Sequence, residues 1–375
     1  MTIPEQQYFA LLQSALWDKP VPHEMEIDWA SVVRIAKHHG NIVLVADAAS
    51  RLPENQQPSP ELLAKMKNAM RGNLVNQLEL KRILVMVVTA MRQQGIEPVL
   101  LKGFGIAMLY PNPNLRQFGD LDLFVGLNRF HDACAIVRDL PGSHSWCMEV
   151  DAGRHYNVDF GEHPVETHRV SADVVDAEER EFYATIEQDG LVEHTQHVDY
   201  EGYALTLPSP EFAVFFTFYH AWHHFMTTGV GWRQLSDFAM TLHSYLGSQA
   251  VKSESFDVEK LRSWLTTMHV MEPWQAFGWL LVECLGLPKA EMPFYSVSCR
   301  RRAQKLYTRV MAEGNFRRPN RFKYHKRKGR LAKKIHSLIV VFVEYFQLAA
   351  VFPKQARREL YARMKVAFSK NFQKK

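Results

Sequence analysis

A chain of 375 residues and 43.4 kDa, with 47% hydrophobic, 23% charged and 12% aromatic residues, is long enough for two or three domains and excludes a disordered, collagen-like or low-complexity polymer. Its four cysteines, Cys134, Cys147, Cys284 and Cys299, are far apart and form no CxxC pair, which speaks against a disulfide scaffold or a Cys-rich zinc site and fits a reducing compartment. The net charge of +5 is uneven: 23 of the 45 Lys and Arg, with three of the 40 acids, fall in residues 300–375, so this last fifth carries +20 and the preceding 299 residues carry −15. Such a fifth either meets an anionic partner or is a solvated helical surface.

The start, Met1-Thr2-Ile3-Pro4-Glu5, has no basic region followed by an apolar run, so no secretory signal is expected. Residues 4–50 read as short amphipathic helices, with Trp29, Val32, Val33, Ile35 and Ala36 at helical spacing. Ser59-Pro60-Glu61 is a helix start, and one long helix runs from there to Gln94 and is closed by Gly95. Leu74, Leu78, Ile83, Val87 and Met91 are among its apolar positions. The texture then changes to a small α/β unit. Ile96 to Leu101 suits a buried strand, Lys102-Gly103-Phe104-Gly105 turns the chain, and Ile106 to Tyr110 is a helical turn or two. A second strand is expected at Leu121–Val125, a helix at Arg129–Leu140, and short strands at 145–150, 155–160 and 165–170. After Ser209-Pro210 the chain becomes helical again, near 210–226, 232–246, 257–268, 273–285 and 296–312.

Residues 338–352 are mostly apolar, yet the run has 15 residues with Glu344 near its centre, against about 20 needed to cross a bilayer. A helix in the bundle or on a membrane surface is expected instead.

The chemistry-bearing segment runs from Leu101-Lys102-Gly103 to Arg116-Gln117-Phe118-Gly119-Asp120-Leu121-Asp122. Alternation along a strand points Asp120 and Asp122 one way, with Leu121, Leu123 and Val125 facing a core. Two like charges side by side are tolerated when a cation lies between them, and Mg²⁺, a hard ion that takes oxygen ligands, is the natural choice. The competing reading is a solvated Asp-x-Asp at a strand end.

Leu101-Lys102-Gly103, Tyr110-Pro111, Arg116, Gly119-Asp120, Asp122 and Val125 resemble the nucleotidyltransferase superfamily with the polymerase-β-like fold. More narrowly they resemble a bacterial family of uncharacterised nucleotidyltransferases. Pro164-Val165-Glu166-Thr167-His168 is similar to the motif that carries the family's third carboxylate. His220-Ala221-Trp222-His223-His224, followed by Trp232 to Asp237, resembles a later helix of the family. The resemblance implies an α+β protein: a helical N-terminal region over 1–95, a polymerase-β-like core over 96–207, a helical domain over 208–312, and a basic helical segment over 313–375. It implies transfer of an NMP group from an NTP to an unidentified hydroxyl acceptor. Asp120, Asp122 and Glu166 would be the catalytic residues and the ligands of two Mg²⁺ ions, with Mn²⁺ an alternative. Lys102, Gly103, Arg116, Gly119, His168 and His220 would bind nucleotide, Lys102 and Arg116 by neutralising phosphate oxygens. Gly103-Phe104 stands where the broad superfamily has Gly-Gly or Gly-Ser, so a phosphate-contacting hydroxyl is missing. Two rival readings share the fold: a toxin-like transferase acting on RNA, and a non-catalytic nucleotide- or partner-binding module.

Other signals are weaker. Lys102-Gly103-Phe104-Gly105 lacks the third glycine of a dinucleotide fingerprint. His155, Asp159, Glu162, His163 and His168 crowd one region without a recognised zinc spacing. His220 and His224 share a helical face, but Ala221 stands where a metalloprotease helix needs Glu. Trp222, Trp232 and Trp264 read as core, and Arg233 with Asp237 as an i, i+4 ion pair. The basic run Arg317–Lys334, interleaved with Phe322 and Tyr324, suits RNA or an anionic membrane. The expected location is cytoplasmic, or peripheral at the inner face of the membrane through residues 317–375.

Overall fold

The computed structural model describes residues 1–145, 153–247, 256–315 and 345–372, together with residues 339, 342 and 343. The strand expected over 145–150 and the basic run 317–334 therefore lie outside the described residues, Ser145 excepted.

Three helices open the chain: α1 (Ile3–Trp17), α2 (Trp29–His39) and α3 (Ile42–Arg51). The long helix α4 (Pro60–Gln93) follows, with the Ser59 hydroxyl accepting from the Leu62 amide. Gly95, at φ +67, turns the chain out of it, a left-handed conformation that glycine adopts freely. The α/β unit comprises β1 (Val99–Leu100), the one-turn helix α5 (Phe104–Ala107), β2 (Leu121–Phe124), α6 (Gly126–Arg138), β3 (Ser143–His144), β4 (His155–Phe160), β5 (His163–His168), α7 (Ala177–Gln188), β6 (Gln196–Tyr200) and β7 (Tyr203–Leu207). Helices α8 (Pro210–Met226), α9 (Trp232–Leu246), α10 (Val258–Thr267), α11 (Met271–Leu280), α12 (Arg300–Glu313) and α13 (Pro353–Phe372) complete it.

The seven strands form one mixed sheet in the order β3-β4-β5-β2-β1-β7-β6. At its centre β2 runs antiparallel to β1 and parallel to β5. One face of the sheet is apolar. Leu121, Leu123, Val158 and Val165 pack there against Leu80, Ile83, Leu84 and Val87 of α4 and against Phe130, Ala133, Cys134 and Val137 of α6. The period-2 pattern thus places Asp122 and Glu166 on the opposite face, toward α8 and α9. The long helix differs from expectation in its middle: Leu74, Val75 and Leu78 are exposed. There the inward positions are polar instead, and they hold a loop. Asn73 and Gln77 donate to the Arg116 carbonyl (3.3 and 2.8 Å), and Asn76 donates to that of Phe118 (2.8 Å).

Helix α7 and the β6–β7 hairpin were not expected from the sequence. The hairpin turns on Glu201 and Gly202, both at positive φ (51° and 83°), as a two-residue turn between twisted strands requires. Its outer strand alternates Gln196, Val198 and Tyr200 with His197 and Asp199, a weak apolar signal suited to a sheet edge. Asp120 lies just before β2, not within it.

The helices build a second apolar core. Trp222, Trp232 and Trp264 are buried in it, as expected. The C-terminal segment joins this core through Phe352, which is fully buried and meets Trp222 and Phe225 edge-on, with ring centroids 5.0 and 5.7 Å away. Among the described residues no helix is long and apolar enough to cross a membrane.

Candidate active site

The parallel register of β2 with β5 sets Asp122 directly beside Glu166. Neighbouring strands are about 4.8 Å apart, so their carboxylates are forced together. The chain supplies cations to hold them. Lys102, just after β1, places its Nζ 2.8 Å from Asp122 Oδ1. The Leu101 amide donates to the Asp122 carbonyl (3.0 Å) and locks that backbone in place. His168 Nε2 lies 3.1 Å from Asp122 Oδ1 and 3.3 Å from Glu166 Oε2. His155, opposite His168 in the antiparallel β4–β5 pair, places Nε2 3.8 Å from Glu166 Oε2.

Titration follows from these contacts. Burial alone would raise the Asp122 carboxyl, but Lys102 and His168 override it and hold the group well below the usual carboxylate range. Glu166 is likewise lowered, against burial, by its bond to His168. Asp120 moves the other way: burial, then the like charge of Asp122, raises it. The His168 imidazole is raised by its two carboxylate partners, which outweigh burial.

A cavity of about 220 Å³ opens between this face of the sheet and the helices. Lys102, Asp120, Glu166 and Arg154 line it from the α/β side, with Phe216, Thr217, His220 and His224 from α8 and Arg233 and Gln234 from α9. His220 and His224, one turn apart, share a hydrogen bond between their Nε2 atoms (2.9 Å), and His224 Nδ1 meets the Thr228 hydroxyl (2.8 Å). Burial and the nearby Lys102 charge keep both rings neutral: His220 is pushed well below its ordinary value, and His224 is pushed down to about 3.

The remaining expected residues fall into place unevenly. Arg116 is 3% exposed and grips Asp237 with two bonds, Nε to Oδ1 (2.7 Å) and an Nη to Oδ2 (2.9 Å). A third N–H goes to the Gly103 carbonyl (3.0 Å), and the Tyr110 hydroxyl adds a bond to Asp237 (2.8 Å). Arg116, expected at a phosphate, lies on the cavity wall, and there its guanidinium bonds the buried Asp237 carboxylate and braces the loop against α9. Asp237, expected beside Arg233, acts electrostatically on it and is also the anchor of Arg116. Lys102 lines the cavity but gives its charge to Asp122. Gly103 is required by its backbone, at φ +66, though the helix it starts is a single turn with little macrodipole. Gly119 is exposed, and a Cβ there would meet nothing within 4 Å, so neither sterics nor the cavity asks for glycine. His168, expected on the nucleotide, is buried behind the carboxylates it bonds. His220 does face the cavity.

Sequence reasoning missed Arg154 as a cavity cation and the cavity role of Arg233. Arg154 directly precedes β4 with no motif to mark it. Arg233 shares α9 with Asp237, and the i, i+4 spacing suggested a simpler role.

The chain's sequence matches the profile of the uncharacterised nucleotidyltransferase family over residues 25–286. The protein belongs to this family of nucleotidyltransferases. No curated protein and no solved structure matches it. Nucleotidyltransferases move an NMP group from an NTP and generally use divalent metals, and the donor set of this one fits such an ion. Asp122 Oδ2 is buried without a hydrogen-bond partner. His155, Glu166 and His168 each bring a ligand atom within 4.8 Å of the others, a grouping made by strand pairing that linear spacing hides. The triad of Asp120, Asp122 and Glu166 is not among the groups that converge to that distance in the described residues.

Two predictions follow from this geometry. Asp237→Asn leaves the buried Arg116 without its counter-charge and should cost about 3–5 kcal/mol, read from the denaturant midpoint, while Arg116→Met with Asp237→Leu should recover much of it. Equal stability of Asp237→Asn and wild type would show the brace to be idle. The second concerns acid. Unfolded histidine takes up a proton near pH 6.5, whereas folded His224 resists until about 3. The unfolded state therefore binds more protons through that window, and stability falls as pH falls. Between pH 7 and 5, His224→Gln should lose less stability than wild type, by on the order of 1 kcal/mol. Parallel losses would show that His224 protonates as freely as in water.

Proposed function

We propose that the protein has a polymerase-β-like core and performs Mg²⁺-dependent transfer of a nucleoside monophosphate from an NTP to a hydroxyl acceptor in the cavity between sheet and helices. The observation that carries this reading is the β2–β5 register, which sets Asp122 beside Glu166 behind a cavity that also presents Asp120, Lys102, Arg154 and Arg233. Asp120, Glu166 and the unpartnered Asp122 Oδ2 would hold the ion. Carboxylate oxygens favour Mg²⁺, and the nearby imidazoles make Mn²⁺ acceptable. Once bound, a divalent ion would draw charge from the α-phosphate and make the acceptor hydroxyl more acidic. The chain's own groups do the rest. Arg154 and Arg233 supply positive charge for phosphate oxygens, taking the part of the hydroxyl missing at Phe104. The neutral His220–His224 pair offers polar contacts that add no charge, and Ile106 and Phe216 give an apolar wall for the nucleoside. The acceptor oxygen attacks the α-phosphorus and pyrophosphate leaves.

The basic C-terminal fifth fits an anionic membrane surface. Its run over 317–334 lies outside the described residues, but directly after it Ile339, Phe342 and Phe346 are 56, 50 and 67% exposed at spacings of three and four. Apolar residues on one helical side, next to dense positive charge, suit a headgroup boundary.

Two measurements test these readings. Incubation with each α-labelled NTP, Mg²⁺ and cell extract should label an acceptor. Glu166→Gln should leave nucleotide affinity nearly unchanged and cut labelling by orders of magnitude, each tenfold being about 1.4 kcal/mol of barrier. No labelling by wild type with any NTP would leave a nucleotide-binding module. For the tail, vesicles rich in phosphatidylserine should retain the full chain at low salt and release it at high salt. Undiminished binding by a variant with Ile339, Phe342 and Phe346 changed to Ser would refute insertion, and preference for RNA over vesicles would move the partner to nucleic acid.

A further inference from the structure

We infer that the Lys102 ammonium occupies the position a second metal ion would take at Asp122, so that this enzyme works with one divalent ion and one built-in cation. The inference rests on the nucleotidyl-transfer reading of the same cavity. Two-metal sites clamp both the attacking and the leaving oxygens with ions about 3.5–4 Å apart, which needs a carboxylate shared between them.

Asp122, beside Glu166 on the neighbouring strand, is placed to be that shared ligand, yet it is closed to a second ion. Its side chain has no exposed surface, and it is absent from the cavity wall, whereas Lys102, Asp120 and Glu166 are on that wall. Lys102 therefore stands between Asp122 and the cavity. Its Nζ takes Asp122 Oδ1 at 2.8 Å, and His168 Nε2 takes the same oxygen at 3.1 Å. Mg²⁺ keeps several waters and demands near-octahedral room, which Asp122 Oδ1, already bonded twice, does not offer, so only Oδ2 is left and it can serve one ion. Withdrawal of Lys102 would leave a buried charge short of a partner, a costly state.

The test counts ions on the intact chain. Full-length protein, saturated with an NTP analogue carrying a methylene between the α- and β-phosphorus, is dialysed against Mn²⁺ and examined by electron paramagnetic resonance. Wild type should bind about one Mn²⁺ per chain with an uncoupled spectrum, whereas ions at two-metal separation couple. Lys102→Met should gain a second ion and the coupled signal, and Lys102→Arg, which keeps the charge, should retain one. If Lys102→Met fails to fold, Lys102→Gln replaces it, and the wild-type count still decides. Two coupled ions in wild type, or one ion in a folded Lys102→Met or Lys102→Gln, would overturn the inference while leaving nucleotidyl transfer intact. No Mn²⁺ in any variant would remove the metal reading together with it.

Discussion

The parallel pairing of β2 with β5 is the constraint on which the rest of the site depends. It fixes two carboxylates on adjacent strands of one sheet face, Asp122 against Glu166, with Asp120 at the edge. At about 4 Å and an effective dielectric near 20, two such charges repel by about 4 kcal/mol. A fold that keeps them must surround them with cations, and this one does so from separate elements: Lys102 from the end of β1 and His168 from β5 itself. The apolar face of the same strands, buried under α4 and α6, anchors that arrangement from behind. A one-residue slip of β5 would put Val165 and Thr167 on the charged face and Glu166 in the core, so packing on one side protects chemistry on the other.

A second brace sets the distance from sheet to helices. The loop between α5 and β2 is held by the side-chain amides of α4, which bond carbonyls along it including that of Arg116, and by the Arg116 guanidinium, which joins it to Asp237 of α9. The pair is buried and doubly bonded, with Tyr110 as a third member. Such a link contributes less to net stability than to geometry, since desolvation offsets most of its attraction. Here the geometry is what matters. Asp120 follows this loop directly, and Arg233 on α9 reaches back to the Gln117 carbonyl (2.9 Å), so the acidic and basic walls of the cavity are positioned by the same short segment.

Much of this was legible in the sequence, and the reasons are physical. Asp120 and Asp122 stood out because alternation puts both on one face, and Glu166 with His168 because their segment resembles the family's third-carboxylate motif. The helix starts at Ser59-Pro60 and Ser209-Pro210 were legible because a hydroxyl cap followed by proline has few other uses. What could not be read is what only tertiary pairing creates. Lys102 and Arg116 looked alike as loose cations near phosphate, yet one is drawn to Asp122 and the other to Asp237, 121 positions away in the chain. The convergence of His155 with Glu166 and His168 depends on the β4–β5 register, so no ligand spacing announced it. The β6–β7 hairpin escaped notice because an edge strand need bury only one side weakly, and its glycine signal is a single residue.

Helix α8 draws these strands of argument together. One side carries His220 and His224 into the cavity, and another carries Trp222 and Phe225 onto Phe352 of the C-terminal segment. The imidazoles stay uncharged because they are buried beside Lys102, and they remain buried only while the helix is pressed toward the sheet. Part of that pressure comes from the C-terminal segment. Phe352 is held between aromatic rings, Arg358 pairs with Glu179 of α7 (2.9 Å), and Lys354 pairs with Glu272 of α11 (2.9 Å). These surface pairs are individually weak, so the buried aromatic contact dominates the docking. Within the basic fifth of the chain Phe352 thus steadies the wall of the cavity, whereas Ile339, Phe342 and Phe346 are exposed.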